Sequence, residues 1–275
     1  MRSIALALGA SLTWGFADFF GALKGRTLGA LRTLVYVQLG GLVAIALIVA
    51  IRWKGPADLD ALFAIPAAVS GTLGLYAFYR GMAVGAMSIV APIAGISAAV
   101  PVVFGIATGD RPSLWQWLGI AGALGGVFLA SREPGRGVKV AAGVGLALLA
   151  AIGFGGYFPP MHAAGNADFW WASLIFRMTS TSIILAAVAI RRPSLAVAPM
   201  QVPLLALVGV GDMLGNLLFA AASTSGLVSI TSVLASLYPI ITVLLARLVL
   251  KERVARSQEA GIVLTLAGVA LISAG

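Results

Sequence analysis

Apolar runs of about twenty residues recur along the whole chain, and only short polar strips separate them. One such strip holds Lys251, Glu252, Arg253, Arg256 and Glu259 between segments made almost entirely of Ala, Val, Leu, Ile and Gly. A helix of about 20 residues spans the hydrocarbon core of a bilayer, which is about 30 Å thick. We therefore predict that the chain crosses a membrane many times and that this strip is a connecting loop.

The composition agrees, because 60% of the residues are hydrophobic and only 10% are charged, whereas soluble domains carry about 25% charged residues. Ten spans can be assigned, at roughly 3–22, 32–51, 61–79, 86–107, 114–131, 139–158, 169–190, 202–222, 227–250 and 257–274. They are continuously apolar, whereas barrel strands alternate apolar and polar residues. The predicted fold class is an all-α integral membrane protein with ten transmembrane helices.

The net charge of +9 would suit nucleic acid, but the basic residues lie at span ends, where loops and lipid headgroups attract them. The odd-numbered loops carry Lys24, Arg26, Arg32, Arg80, Arg132, Arg136, Lys139, Arg191, Arg192, Lys251, Arg253 and Arg256. The opposite side carries only Arg2, Arg52, Lys54 and Arg111. The positive-inside rule then places both termini outside the cell, and we expect no nucleic-acid partner.

An internal repeat divides the chain into two halves. The segment GDRPSLWQWLGIAGALGGVFLAS at 109–131 aligns with a segment 142 residues later, and eight of the sixteen positions from 116 to 131 are identical in the two copies. With a shift of 141, GAMSIV at 85–90 matches GLVSIT at 226–231. The start of the fifth span has a capping-box pattern, and in the second copy only its glutamine, Gln258, remains.

We assign 1–131 to the first copy, 132–138 to a linker and 139–275 to the second copy. Because each copy holds five spans, an odd number, the second must enter the membrane in the opposite direction. Such inverted repeats are common in secondary transporters, where the substrate site lies near the midplane between the repeats and access alternates between the two sides. The sequence therefore predicts two inverted five-helix repeats.

The chain has ten spans, and in each copy an Asp-Arg or Glu-Arg pair precedes a last span that begins Q-x-x-G-I. A G-x-x-S-I pattern opens spans four and nine. Together these features resemble the drug/metabolite transporter superfamily, in its EamA branch. The resemblance covers essentially the whole chain and is strongest at 74–131 and 215–274. It implies a bacterial inner-membrane exporter of amino acids, other small metabolites or drugs. It also implies cytoplasmic termini, opposite to the charge count.

We accordingly predict a secondary active transporter that exports small metabolites, amino acids or similar zwitterionic compounds, by alternating access. A multidrug or organic-cation exporter is the first alternative, and a flippase for lipid-linked groups is the second. We expect a monomer in contact with membrane lipids, with a small-molecule substrate and no cofactor. The chain has no cysteine and one histidine, His162, and it lacks a nucleotide-binding P-loop pattern, so we expect neither a metal site nor an enzyme.

Polar side chains at membrane depth are candidates for substrate contact, because burying an ionisable group in a bilayer costs about 2.5–3.5 kcal/mol. Trp14 and Asp18 share a face of span one and together could hold an ammonium group. Asp212 and Asn216 lie one turn apart in span eight, and Arg177 in span seven could meet a substrate carboxylate. In the structural alternatives, Asp18 pairs with a basic residue near its span end and Arg177 pairs with Asp212.

Aromatic residues and prolines complete the predicted site, which we place in a central cavity lined by spans one, three, four, six, eight and nine. The aromatic candidates are Tyr76, Tyr79, Tyr157 and Tyr238, and the proline candidates for gating are Pro92, Pro101 and Pro239. Proline frees backbone carbonyls, so spans four and nine are the expected bending helices. A proton is the candidate coupling ion, with Asp212 as its first carrier and Asp18 as the second.

Overall fold

The structure is a computed structural model that describes residues 2–56, 58–98, 100, 113–131, 142–224, 234–252 and 255–274. Regular structure in these residues is helical, without strands. The α-helices are α1 (Arg2–Leu28), α2 (Ala30–Arg52), α3 (Ala64–Val84), α4 (Met87–Ala94), α5 (Leu114–Ser131), α6 (Val144–Arg191), α7 (Val202–Ser223), α8 (Tyr238–Val249) and α9 (Arg256–Ala274). Short 3₁₀ segments precede α3, follow α4 and precede α7.

Helix α6 accounts for two of the predicted spans. As one straight rod its 48 residues would extend about 72 Å, more than twice the hydrocarbon core. Asp168 breaks it with extended backbone angles, and the Asp168 carboxylate accepts hydrogen bonds from the backbone N–H groups of Trp170 and Trp171. Asp168 is thus the N-cap of a second arm, so we call 144–167 α6a and 169–191 α6b.

The predicted end of span six at 158 is wrong. The helix continues through Pro159 and Pro160 as far as the break at Asp168. A proline pair predicts a helix end in water, but proline is tolerated inside membrane helices where neighbouring helices satisfy the freed backbone groups.

Within the described residues, five helical segments are long and apolar enough to cross a membrane: Arg2–Leu28, Ala30–Arg52, Leu59–Val84, Val144–Arg191 and Pro199–Ser223. Spans four and nine are only partly described and are represented by the short helices α4 and α8. Pro92 lies inside α4. Pro239 lies in the first turn of α8, where a backbone N–H would have no partner within the helix, so that proline costs no hydrogen bond there. Pro101 lies outside the described residues, and the count of ten transmembrane helices stays a prediction.

Helix contacts follow the internal repeat. Helix α3 packs on α6, and its counterpart α7 packs on α1, while the equivalent helices α4 and α8, and α5 and α9, contact each other. A Cβ atom at Gly126 would lie 2.7 Å from the carbonyl oxygen of Gly261, and one at Gly268 would lie 2.6 Å from that of Gly119. These two contacts exchange under the 142-residue shift, as a local two-fold axis between α5 and α9 requires.

Candidate functional site

One cavity lies among the helices of both repeats, near the middle of α1, α3 and α7. The cavity volume is about 60 Å³, which is room for a few water molecules. Its walls are formed by Trp14, Asp18, Gln38, Gly71, Thr72, Leu75, Phe154, Tyr157, Phe158, Phe176, Ser180, Asp212, Asn216 and Tyr238. The cavity is small, and its lining is mostly apolar with a few polar groups, as the lining of small-molecule sites usually is.

Aromatic rings form a connected cluster around Trp14. Its ring centroid lies 6.1 Å from that of Tyr157 and 6.4 Å from that of Tyr238, both in edge-to-face geometry. Phe219 stands 6.1 Å from Trp14 on another side. The close approach of α7 depends on Gly215, where a Cβ atom would lie 2.4 Å from the indole ring. The edge-to-face geometry is the one that aromatic pairs favour, and Trp14, Tyr157 and Tyr238 all line the cavity.

A buried ion pair joins three helices beside the cavity. Arg177 on α6b donates from Nη2 to Asp212 Oδ2 at 2.7 Å and from Nη1 to Gln38 Oε1 at 2.5 Å. The Arg177 side chain is 1% exposed and that of Asp212 is 12% exposed. Asn216 donates from its side-chain amide to the backbone carbonyl of Asp212, one turn earlier on α7. The pairing of Arg177 with Asp212, left open by the sequence, is the arrangement observed.

Glycines make the space for this guanidinium where α2 crosses α7. A Cβ atom at Gly41 would lie 3.0 Å from the Arg177 guanidinium carbon and 2.7 Å from the carbonyl oxygen of Gly209. A Cβ atom at Gly209 would in turn strike the backbone carbonyl of Val37. The two backbones therefore touch, as small residues allow in membrane helices, and the arginine fills the space beside the contact.

Asp18 differs from Asp212 in having no ionic partner in the part of the chain that the structure describes. It is 5% exposed, lines the cavity, and makes no hydrogen bond or ion pair with any residue that the structure describes. The basic residues near the end of its span are engaged elsewhere, because Arg26 bonds Glu252 and Arg32 bonds the carbonyl of Ala196. Asp18 therefore pairs with neither Arg26 nor Arg32, and the structural alternative for Asp18 is wrong within the described residues.

The predicted aromatic residues separate into two groups. Trp14, Tyr157 and Tyr238 line the cavity, whereas Tyr76 is 36% exposed and does not, so we withdraw Tyr76 from the site. Tyr79 is buried but lies outside the wall, because its hydroxyl fills the space beside Gly21 between α1 and α3. Tyr76 lies on the outward face of α3, where the exposed residues Leu73 and Arg80 flank it at helical spacing.

The predicted position of the cavity between the repeats agrees with the structure, but the lining helices differ from the prediction. Spans two and seven contribute Gln38, Phe176 and Ser180, and no described residue of span four lines the cavity. Gln38 could have been found from the sequence, because it is a polar residue inside the apolar span two. Thr72 donates to Ser180 at 2.6 Å, but isolated serine and threonine are too common in membrane helices to mark a site.

Comparison with known proteins agrees with this architecture. The model of the EamA-like transporter family matches the chain twice, at residues 1–132 and 141–274. No curated protein matches significantly. Among 23 matching chains of solved structures is a crystal structure of a protein that superposes with a TM-score of 0.65. That match covers 98% of this chain and 95% of the other at 16% identity, and it supports the fold alone.

The two family matches confirm both the resemblance inferred from the sequence and the two-repeat architecture. Together with the apolar helices they identify an integral membrane protein. The chain belongs to the EamA-like transporter family, which is a family of membrane transporters and not of enzymes.

Proposed function

We propose that the protein is a secondary transporter of the bacterial inner membrane that exports small amphipathic compounds carrying an ammonium group, by alternating access. The observation that carries the proposal is the unequal pairing of the two buried carboxylates. Arg177 balances Asp212, whereas Asp18 faces the cavity without a cationic partner among the described residues. One uncompensated carboxylate in an apolar cavity favours a cation, because a buried charge is stabilised by pairing.

The aromatic wall supports a cationic substrate with an apolar body. An ammonium group over the face of Trp or Tyr is stabilised by about 0.5–2 kcal/mol, more when it is desolvated. Trp14 lies one turn before Asp18 on the same face of α1, so that one group can meet both. Phe154, Phe158 and Phe176 supply apolar surface for the rest of the substrate.

Amino acids, which the sequence favoured, become the second candidate. Arg177 bonds Gln38 and Asp212 and does not line the cavity, so a substrate carboxylate in the cavity would not meet it. The hydroxyl groups of Tyr157 and Tyr238 are the feature that favours a zwitterion. Both are buried without a hydrogen bond of acceptable geometry among the described residues, and both can donate.

For proton coupling, the ion pair supports reversing the order expected from the sequence. A proton or cation at Asp212 would have to displace Arg177, whereas Asp18 is free to accept either. We propose that a proton and the substrate ammonium compete for the Asp18 carboxylate, so that export of one cation accompanies entry of a proton. In this scheme Arg177 and Asp212 keep α2, α6b and α7 together throughout the cycle.

The substrate class can be tested with three compounds that share a phenylethyl body. These are 2-phenylethylammonium, phenylalanine and 3-phenylpropionate, and their binding to the purified protein is measured by calorimetry. We expect 2-phenylethylammonium to bind at least about tenfold more tightly than 3-phenylpropionate, since about 1.4 kcal/mol of charge pairing gives a factor of ten. Preferred binding of phenylalanine would support the zwitterion, and preferred binding of the carboxylate would reject both candidates.

A further inference from the structure

The charged connector between α8 and α9 reaches across to the other repeat. The Glu252 carboxylate accepts hydrogen bonds from the backbone N–H groups of Met87, at 3.2 Å, and Ser88, at 3.0 Å, and from the Ser88 hydroxyl at 2.8 Å. Met87 and Ser88 form the first turn of α4, whose N-terminal N–H groups have no helical acceptor. Glu252 therefore caps a helix 164 residues away in the sequence.

Arg26, at the end of α1, completes the same cluster. Its Nη2 lies 3.2 Å from Glu252 Oε1 and 2.8 Å from the carbonyl oxygen of Gly85, and its Nε donates to the carbonyl oxygen of Met82 at 2.7 Å. The last carbonyls of α3 and the first N–H groups of α4 are thus satisfied together. One arginine and one glutamate join the ends of α1, α3, α4 and α8.

The backbone holds Glu252 in this position. Helix α8 ends with Lys251 in the left-handed region at φ 52°, and the Glu252 N–H donates back to the carbonyl of Ala246 at 3.3 Å. This helix C-terminus turns the chain sharply and directs Glu252 toward the first repeat. The sequence alone marked this strip only as a connector.

The cluster lies beyond the cavity toward one membrane face. Arg26 follows Asp18 by eight residues on α1, about 12 Å along the helix, and Met82 follows Leu75 by seven residues on α3, about 10 Å. Helix α8 carries Tyr238 in the cavity wall at its start and leads to Glu252 at its end. Helices α1, α3 and α8, whose ends the cluster joins, each contribute at least one wall residue to the cavity.

We propose that Arg26, Glu252 and Ser88 form a latch that closes the cavity toward the face bearing the ends of α1, α3 and α8, and that the latch must open for substrate to reach that face. We call this face the latch face. The inference rests on the proposed alternating access. The latch is formed by groups from both repeats, so that its opening separates α8 and its connector from α1, α3 and α4.

Thiol labelling tests the latch without a substrate. The native chain has no cysteine, so Ser180→Cys provides a single reporter in the cavity wall of the full-length protein in liposomes. A charged methanethiosulfonate reagent is applied from either side of the bilayer. We expect Glu252→Gln to raise the labelling rate from the latch face about tenfold, the effect of losing roughly one charge-assisted hydrogen bond, and to leave the rate from the other face unchanged or lower.

Glu259→Gln is the matched control, because Glu259 forms an ion pair with Arg247 at 2.7 Å, at the start of α9, and both side chains are exposed. It should leave the labelling rate unchanged. If Glu252→Gln does not fold, Arg26→Lys in the same reporter background keeps the charge but loses the paired donors to Met82 and Gly85. An unchanged rate in the folded latch variant, or an equal increase in the control, would overturn the latch. Failure of 2-phenylethylammonium to bind would reject the substrate proposal and leave this test unaffected.

Discussion

Arg177 lies in the middle of an apolar span, and its position alone indicates that it has a special role. An arginine in the middle of an apolar span predicts a partner or a function, because an unpaired charge at that depth is costly. The sequence could not choose between a substrate carboxylate and Asp212, since the two residues lie on different helices. The choice depends on how closely α2 and α7 approach, and glycines at 41 and 209 bring them into backbone contact.

We predict that breaking this pair destabilises the protein strongly. Arg177→Met leaves Asp212 buried without its partner and should lower the free energy of unfolding by about 3–5 kcal/mol. Adding Asp212→Leu should recover part of the loss, because neither charge then remains. Thermal unfolding of the purified protein measures both effects. Arg247→Met, at the exposed ion pair, should cost less than about 1 kcal/mol, and an equal loss in the two variants would contradict the interpretation.

The cavity residues differ in how predictable they were. Trp14, Asp18, Asp212 and Asn216 follow from polar or aromatic character at depth and helical spacing, and the structure brings all four together. Tyr76 satisfied the same criteria and lies outside the cavity, because the rotation of α3 about its axis is fixed by packing and not by residue type. Residue chemistry therefore selects candidates, and helix orientation decides among them.

At the scale of helices, the repeat was the most informative feature of the sequence. Gly74 and Gly215, which are 141 residues apart, both lie at close helix contacts, against Phe154 and Trp14 respectively. Prolines predicted interruptions in spans four and nine, and the described parts are short helices beside 3₁₀ or turn segments. Prolines misled at 159 and 160, since a proline pair marks a helix end reliably only where water, and not a neighbouring helix, receives the freed carbonyls.

The close contact between α5 and α9 can be tested by substitution. Gly126→Ala would place a Cβ atom 2.4 Å from the backbone nitrogen of Thr265, which cannot move aside as a side chain can. The substitution should lower the free energy of unfolding by about 1–3 kcal/mol. Gly125→Ala, one residue earlier, meets nothing closer than a side-chain atom at 3.8 Å and should be neutral or slightly stabilising, since alanine favours helix. Thermal unfolding of both variants decides, and equal behaviour would contradict the packing described here.

At the scale of the whole molecule, the charge distribution predicts orientation. The ends of α1, α3 and α8 meet in the latch, and Arg32 at the start of α2 bonds Ala196 between α6 and α7, so the described odd-numbered loops share one face. All the odd-numbered loops together carry twelve of the 18 Lys and Arg residues, and the positive-inside rule places them in the cytoplasm. The family resemblance implies the reverse orientation.

Single-cysteine labelling in intact cells tests orientation and topology together. We expect Arg80→Cys and Lys251→Cys to resist a membrane-impermeant thiol reagent and Lys54→Cys to react with it, because all three side chains are exposed but only Lys54 lies on the outer face. The reverse pattern would give the termini a cytoplasmic location and leave the ten-span topology intact. Different labelling of positions 80 and 251 would contradict that topology.

In the proposed mechanism Asp18, and not the Arg177-paired Asp212, binds the substrate ammonium in exchange for a proton. Export of 2-phenylethylammonium from proteoliposomes under an imposed pH gradient tests it directly, with protein-free liposomes as the correction for passive leak. Wild type should respond to the gradient, and Asp18→Asn, which keeps the shape of the side chain but not its charge, should lose that response by tenfold or more, the effect of about 1.4 kcal/mol. Gradient-driven export that persists at the wild-type rate in Asp18→Asn would show that the Asp18 carboxylate does not exchange the substrate for a proton.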